Sequence, residues 1–496
     1  MRAIADRFSY LFGSTKGLVL VAIALISLVT AIGGTLSGPL AQYGARDVTV
    51  RLLGLRLVEA EREGRIIMLY HTIAMAVVAI EVYLITALVA MKRHLQTAIN
   101  ATITLGYIVS LVFGLAFAYL GHNWAFHGLF LFGQSLVFFA GLLLAWALWP
   151  WSREYYVSDP SYAHTSGGVD LERVAFFAMA VATLGSALFG AVPGSFHGNG
   201  FTTFLAEDVV REPAKTPLQL AVIGHLHIML TLIAVALLLI IGRWFDFRGR
   251  LHKVAMPLLI TGTIIVTVGV WAVVPFEKIA HTIIYIGSVF VLVPGALLVV
   301  YGWRKLITEH LAAQGIAGAR LAHKLRALLA DPLPFGALWQ MVYMNVVVTA
   351  VGIFMAIRLD EVVRQWPARE ERVVLTGHWH VLSGIIATII LLYYADLAGL
   401  RGRARQWFGW LVICGSDLAF TAAMVYATKR LFVTEAAQQP LVSWAIGLTD
   451  VGLAVVLIVL AALMVWRLVD LFRTRGQWRG ELSESRLDIS GKEAAR

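Results

Sequence analysis

Charge is what this 496-residue sequence has least of, with Asp, Glu, Lys and Arg together making up only 14% of it. A soluble globular domain carries about 25%, so the chain lacks the polar surface that water would demand. Cysteine is nearly absent: the single Cys414 lies inside an apolar run, which excludes a disulfide framework. No Cys-x-x-Cys-His occurs, so the chain does not attach a c-type haem covalently. Mid-span helix breakers are also few, with Pro257 and Pro294 as the candidates.

What is present is apolar length. Hydrophobic residues make up 59%, in recurrent runs of about 20 residues, each long enough to cross a bilayer's hydrocarbon core. The expectation is an all-α polytopic membrane protein embedded in lipid, with about twelve spans centred on residues 18–36, 67–90, 98–120, 126–148, 172–192, 219–241, 254–273, 280–302, 338–357, 374–396, 407–427 and 443–466. The first run follows Arg2, Arg7 and Lys16 as a signal peptide would, but it has no convincing cleavage site and reads as a retained helix. The net charge of +10 does not point to nucleic acid, because the basic residues cluster in loops. Even-numbered spans run into Met91-Lys92-Arg93-His94, into Arg153, into Arg243 to Lys253, into Arg304, Lys305, Lys324 and Arg326, and into Arg401, Arg403 and Arg405. The opposite loops hold Glu61, Glu63, Glu207, Asp208, Glu212, Asp360, Glu361, Glu370 and Glu371. The positive-inside rule then places both termini in the cytoplasm of a cell's inner (plasma) membrane.

The histidines disclose an internal repeat. His71, His225 and His378 each stand about one turn inside an even-numbered span, separated by 154 and 153 residues, and His127 and His281 are again 154 apart. Three pseudo-symmetric four-helix units, about 1–155, 156–330 and 331–475, account for length, loop charge and histidine position together, followed by a polar cytoplasmic tail over 476–496. A further step from His281 lands on Glu435, where the third unit departs from the pattern.

Two Gly-His-x-His motifs carry the chemistry: Gly224-His225-Leu226-His227 and Gly377-His378-Trp379-His380. Residues i and i+2 of a helix point about 200° apart, so one helix offers imidazoles to two sides. The preceding glycine, without a side chain, would admit a flat macrocycle to the backbone. Imidazole ligates haem iron, copper and zinc, and intramembrane ionisable residues mark function by default. His71, His225, His227, His378 and His380 at one depth therefore read as ligands. For His122 and His281 a hydrogen bond to a neighbouring helix is an equal reading. His94, His164, His252, His310 and His323 read as surface or interfacial residues of inner loops, and His197 as a solvated residue of an outer loop. Glu81, Asp417 and Asp450 lie within spans, as members of a proton route or as structurally paired acids. Glu277 is either an added ligand near the histidine layer or a salt partner of Lys278. Trp124, Phe126 and Trp379 lie in the same layer and are candidates to pack on a haem plane.

The pattern resembles subunit I of the haem-copper oxidase superfamily, the large subunit of cytochrome oxidases and nitric oxide reductases. Gly377-His378-Trp379-His380-Val381-Leu382-Ser383-Gly384 looks like that family's tenth-helix motif, and Leu69-Tyr70-His71-Thr72 like its second-helix ligand. The resemblance implies that His71 and His380 hold a low-spin haem b and His378 a second haem b. It places His225 where the family binds copper or non-haem iron, with His227, His281 and Glu277 as further candidates for that metal. It also implies an electron donor, an outer-side cytochrome c or a quinol, and further membrane or c-haem subunits. The sixth span departs from the family in reading His-Leu-His-Ile-Met, without a tyrosine one turn on, and the seventh span has no His-His pair.

Three functions follow as expectations. The first is a haem-binding electron carrier of a respiratory chain. The second is an active oxidase or nitric oxide reductase with an atypical second metal site. The third, from another class, is a secondary transporter, which also fits twelve spans with an internal repeat, although the parallel threefold repeat and the paired Gly-His-x-His motifs have no part in it.

Overall fold

The computed structural model describes residues 2–157, 165–196, 216–316 and 320–482. His164, His197, Glu207, Asp208 and Glu212 lie outside them. The described residues form fifteen α-helices. In chain order these are α1 (Arg2–Gly13), α2 (Thr15–Ser37), α3 (Ala45–Leu53), α4 (Arg62–Leu88), α5 (Arg93–Tyr119), α6 (Trp124–Ala147), α7 (Leu171–Phe196), α8 (Pro217–Trp244), α9 (Gly249–Ala313), α10 (Leu321–Leu328), α11 (Pro332–Tyr343), α12 (Thr349–Arg358), α13 (Ala368–Leu397), α14 (Gly402–Thr428) and α15 (Glu435–Phe472). The departure from an all-helical chain is a two-residue antiparallel ribbon, β1 (Thr165–Ser166) with β2 (Val169–Asp170).

Among the described residues, eleven helical stretches are long and apolar enough to cross a membrane, and the chain is a multi-pass membrane protein. One of the eleven, α9, has 65 residues and leaves helical geometry at Phe276 (φ −143°, ψ 55°), next to Pro275. Its two halves double back on each other. A Cβ added at Gly262 would stand 2.8 Å from Phe290, one at Gly269 3.0 Å from Ile283, and one at Gly287 2.6 Å from Val266. The seventh and eighth expected spans are thus antiparallel neighbours joined at Pro275-Phe276, and the set of twelve is complete. The ninth is α11 and α12 joined through a π-helical turn, Met344–Val348.

Local sequence sets the helix starts. Ser14 accepts a hydrogen bond from Gly17 N (3.1 Å) at the head of α2. Thr216 and Gln219 bond reciprocally at the head of α8, ahead of Pro217 in the first helical position. Asp331 accepts from Leu333 N ahead of α11. These groups satisfy donors that would otherwise end unpaired.

The chain divides into two compact units, 2–147 with 460–482 and, among the described residues, 148–196 with 216–459. In the first, α5 and α6 cross at small residues: a Cβ on Gly133 would sit 2.5 Å from Ser110 N, and one on Gly106 2.8 Å from Val137 N. Lipid provides no hydrophobic drive between helices, so close backbone approach and dispersion hold them. In the second unit α14 and α15 cross in the same way, a Cβ on Gly452 lying 2.5 Å from Gly415 O.

Residues 477–482, expected as the start of a polar tail, instead form a helical turn packed on α1. Trp478 (1% exposed) stacks at a tilt on Tyr10, and Asp470 accepts from Gln477 N (2.8 Å) and Trp478 N (3.1 Å). Arg467, also 1% exposed, bonds Tyr10 Oη and pairs with Glu481 at 2.7 Å. Trp478 supplies the apolar surface that the polar composition of this stretch conceals.

A pair of substitutions on α6 tests the small-residue crossing. Gly133→Val should destabilise the detergent-solubilised protein by about 1–3 kcal/mol through overpacking. Gly128→Val, with nothing within 4 Å of its Cβ, should leave the thermal unfolding midpoint unchanged.

Candidate functional site

The two Gly-His-x-His motifs lie on α8 and α13, both in the second unit, and they meet: the His227 ring stands edge-on to Trp379 at 5.1 Å between centroids, 85° between planes. The two imidazoles of each motif diverge as their 200° separation requires. The first of each turns to the preceding span. His225 Nδ1 bonds Ser186 O on α7 at 2.9 Å, and the ring rests on Gly190, where a Cβ would fall 2.2 Å from Nδ1. His378 turns to α12 and rests on Gly352, where a Cβ would fall 2.8 Å from its Cε1. Its Nδ1 is buried and makes no hydrogen bond of normal geometry.

The second imidazole of each motif is held by its own helix. His227 Nδ1 lies 2.8 Å from Ile223 O, and His380 Nδ1 2.7 Å from Thr376 O, each four residues back. A carbonyl oxygen only accepts, so Nδ1 carries the proton in both rings. In the neutral imidazole the lone pair is then on Nε2. Both residues are exposed on the protein surface. A ligating histidine commonly has this arrangement, its other nitrogen donating to a carbonyl that fixes tautomer and ring plane. The residues present therefore fit an axial role towards haem iron.

The glycines act differently from expectation. Gly224 faces α9 and α7, with a Cβ 3.1 Å from Val270 and 3.4 Å from Phe189, and Gly377 faces Ala427 on α14 at 3.1 Å. They permit helix–helix contact rather than access for a macrocycle. Gly190 and Gly352, one span earlier, make room for the imidazoles. Neither carried a sequence signal, because each is defined by a partner dozens of residues away.

The remaining candidates are dispersed. His71, in the first unit, is half-buried and stands edge-on to Phe130 at 6.5 Å. His122, tilted, and His127, stacked, both pack against one ring, Phe117, at 4.9 and 5.1 Å, and His122 Nε2 lies 3.7 Å from Glu61. His281, Glu277 and Lys278 stand exposed near the α9 turn. Among the described residues no three of His, Cys, Asp or Glu gather into a metal-holding group. His225, His227, His281 and Glu277 are therefore not assembled as one ligand set for copper or non-haem iron.

Of the acids, Glu81 is 3% exposed and its Oε1 makes no hydrogen bond among the described residues. Asp417 accepts from Trp339 Nε1 and Gln340 Nε2, both at 2.7 Å, which makes it a tie between α11 and α14. Asp450 is half-buried on α15. Trp124 is 88% exposed and packs on no plane deep in its unit, whereas Phe126 tilts against Phe113.

His252 corrects an expectation. Read as a loop residue at the surface, it is fully buried at the start of α9, under Phe247 at 5.2 Å. The turn after α8 folds back and covers it. His94 and His323 are exposed as expected, and His310 is half-buried against Gln314.

Gly190→Ala should displace the His225 ring and break its bond to Ser186 O, lowering stability by about 1 kcal/mol or more; differential scanning fluorimetry in detergent checks this against Gly194→Ala, where a Cβ meets nothing. No known family model matches the sequence, and no curated protein shows significant similarity to it.

Proposed function

We propose that this chain is a b-type haem membrane redox protein, a divergent relative of the haem-copper oxidase large subunit. In this reading it lies in an inner (plasma) membrane with both termini cytoplasmic. It passes electrons from an outer-side cytochrome c or a quinol to a haem-centred site, with further membrane or c-haem subunits as partners. The observation that carries the reading is the matched pair His227 and His380, each with Nδ1 tied to its own helix, which puts the lone pair of the neutral ring on Nε2. The bond recurs at the same place in both Gly-His-x-His motifs, on two helices that touch there.

When bound, haem b supplies reversible one-electron chemistry at iron. The chain's contribution is orientation and exclusion of water. The Ile223 and Thr376 carbonyls hold two imidazoles in the ligating tautomer. Trp379 blocks rotation of the His227 ring from the side. The resemblance assigns His71 and His380 to the low-spin haem and His378 to the second. The oxidase or nitric oxide reductase reading needs a second metal in addition, for which no three of His, Cys, Asp or Glu gather among the described residues.

An absorption spectrum of the purified protein, expressed with ample haem, decides between these. A reduced b-type spectrum that His380→Ala and His71→Ala each deprive of its low-spin component, and that exposed His323→Ala leaves intact, is the expected result. Carbon monoxide that shifts the spectrum reveals an open coordination site and the catalytic alternative. Protein without haem absorbance sinks both.

A further inference from the structure

The cytoplasmic assignment of the termini is part of the reading above, but the groove between the first and last spans stands independently of haem. On the first unit, α2 and α15 leave an open apolar groove of about 320 Å³, lined among others by Leu11, Val21, Ala24, Met464, Leu468 and Leu471, with no polar surface. It begins at the helix ends near Leu11 and Leu471 and ends at Ala24, nine residues into α2. At 1.5 Å per residue this is about 14 Å, half of a hydrocarbon core about 30 Å thick. A spanning helix of a partner would need a seam of full membrane depth. The groove has the depth of one leaflet.

Its mouth is basic. Arg7 donates to Leu471 O (2.9 Å) and Phe472 O (3.2 Å), using two of its five N–H donors. Lys16 lies at the head of α2, 3.7 Å from Glu481, and Arg473 is exposed one residue past Phe472. Asp6 is the neighbouring acid on α1. Beside the mouth, α1 exposes an apolar stripe at i, i+4 and i+8: Ile4 at 58%, Phe8 at 60% and Phe12 at 46%. A helix with such a stripe lies in the plane of the interface, which sets Arg7 at headgroup level.

We propose that this groove is a binding site for an anionic phospholipid of the leaflet that faces the chain termini. One acyl chain lies along Val21, Ala24 and Leu468, and the phosphate sits at Arg7 and Arg473. Basic pockets of this kind between membrane helices select anionic headgroups, and the leaflet-deep apolar groove below adds chain contact.

Native mass spectrometry of the detergent-solubilised full chain, titrated with phosphatidylglycerol or phosphatidylcholine of identical acyl chains, tests the site. Wild type should retain one phosphatidylglycerol in preference to phosphatidylcholine. Arg473→Gln should reduce that preference roughly fivefold, as expected for loss of one cation near the surface. Ala24→Phe, which fills the groove away from Arg7 and the C-terminal turn, should abolish retention of both lipids while leaving the unfolding midpoint unchanged. Equal retention of the two headgroups by wild type overturns the proposal, as does undiminished retention by Ala24→Phe. A polypeptide found in the groove in place of lipid overturns it as well.

Discussion

In hydrocarbon, no water is available to pair with a backbone amide or carbonyl, so each must be satisfied within the chain. That constraint selects helices throughout and then governs the polar side chains as well. An imidazole inside a span has to find a donor or acceptor among groups that are already committed. His227 and His380 share the carbonyl four residues back on their own helices, and His225 takes one from α7. Asp417 is met by an indole and an amide from α11. The tautomers of His227 and His380 are thereby set by the same need that selects the helices.

Packing follows from the same environment. Between lipid-solvated helices, contact is gained by bringing backbones close, which is why the crossings fall on Gly106, Gly133, Gly415 and Gly452. Gly190 and Gly352 apply the same device to a side chain instead of a backbone, opening a seat for a ring. One residue type thus has two uses in the chain, and what decides between them is the element opposite.

The spans were legible from the sequence because a run of about 20 apolar residues has one meaning in a bilayer. Even the tight return inside α9 could be read as two helices. The divergence of the paired imidazoles was legible too, since it follows from helix pitch. What was not legible depends on partners distant in sequence. Gly224 and Gly377 were assigned to a macrocycle on local grounds, yet Val270 and Ala427 claim the space. His252 was placed at the surface by its loop, without regard to the turn that folds Phe247 over it. The π-helical turn at Met344–Val348 has no local signature, and Trp478 lay hidden in a polar stretch whose average said nothing of one large ring.

The contact between α1 and the turn after α15 has a temporal meaning. Tyr10 is synthesised 471 residues before its partner Glu481. At ordinary synthesis rates of about 5–20 residues per second, α1 waits roughly 25 to 95 seconds for the residues that bury Tyr10. During that interval the first span is anchored by its own hydrophobicity and by whatever the bilayer interface offers to Ile4, Phe8 and Phe12. The lock closes only after α15 and the turn that follows it have been made, so a chain that stalls before Arg467 leaves α1 unfastened.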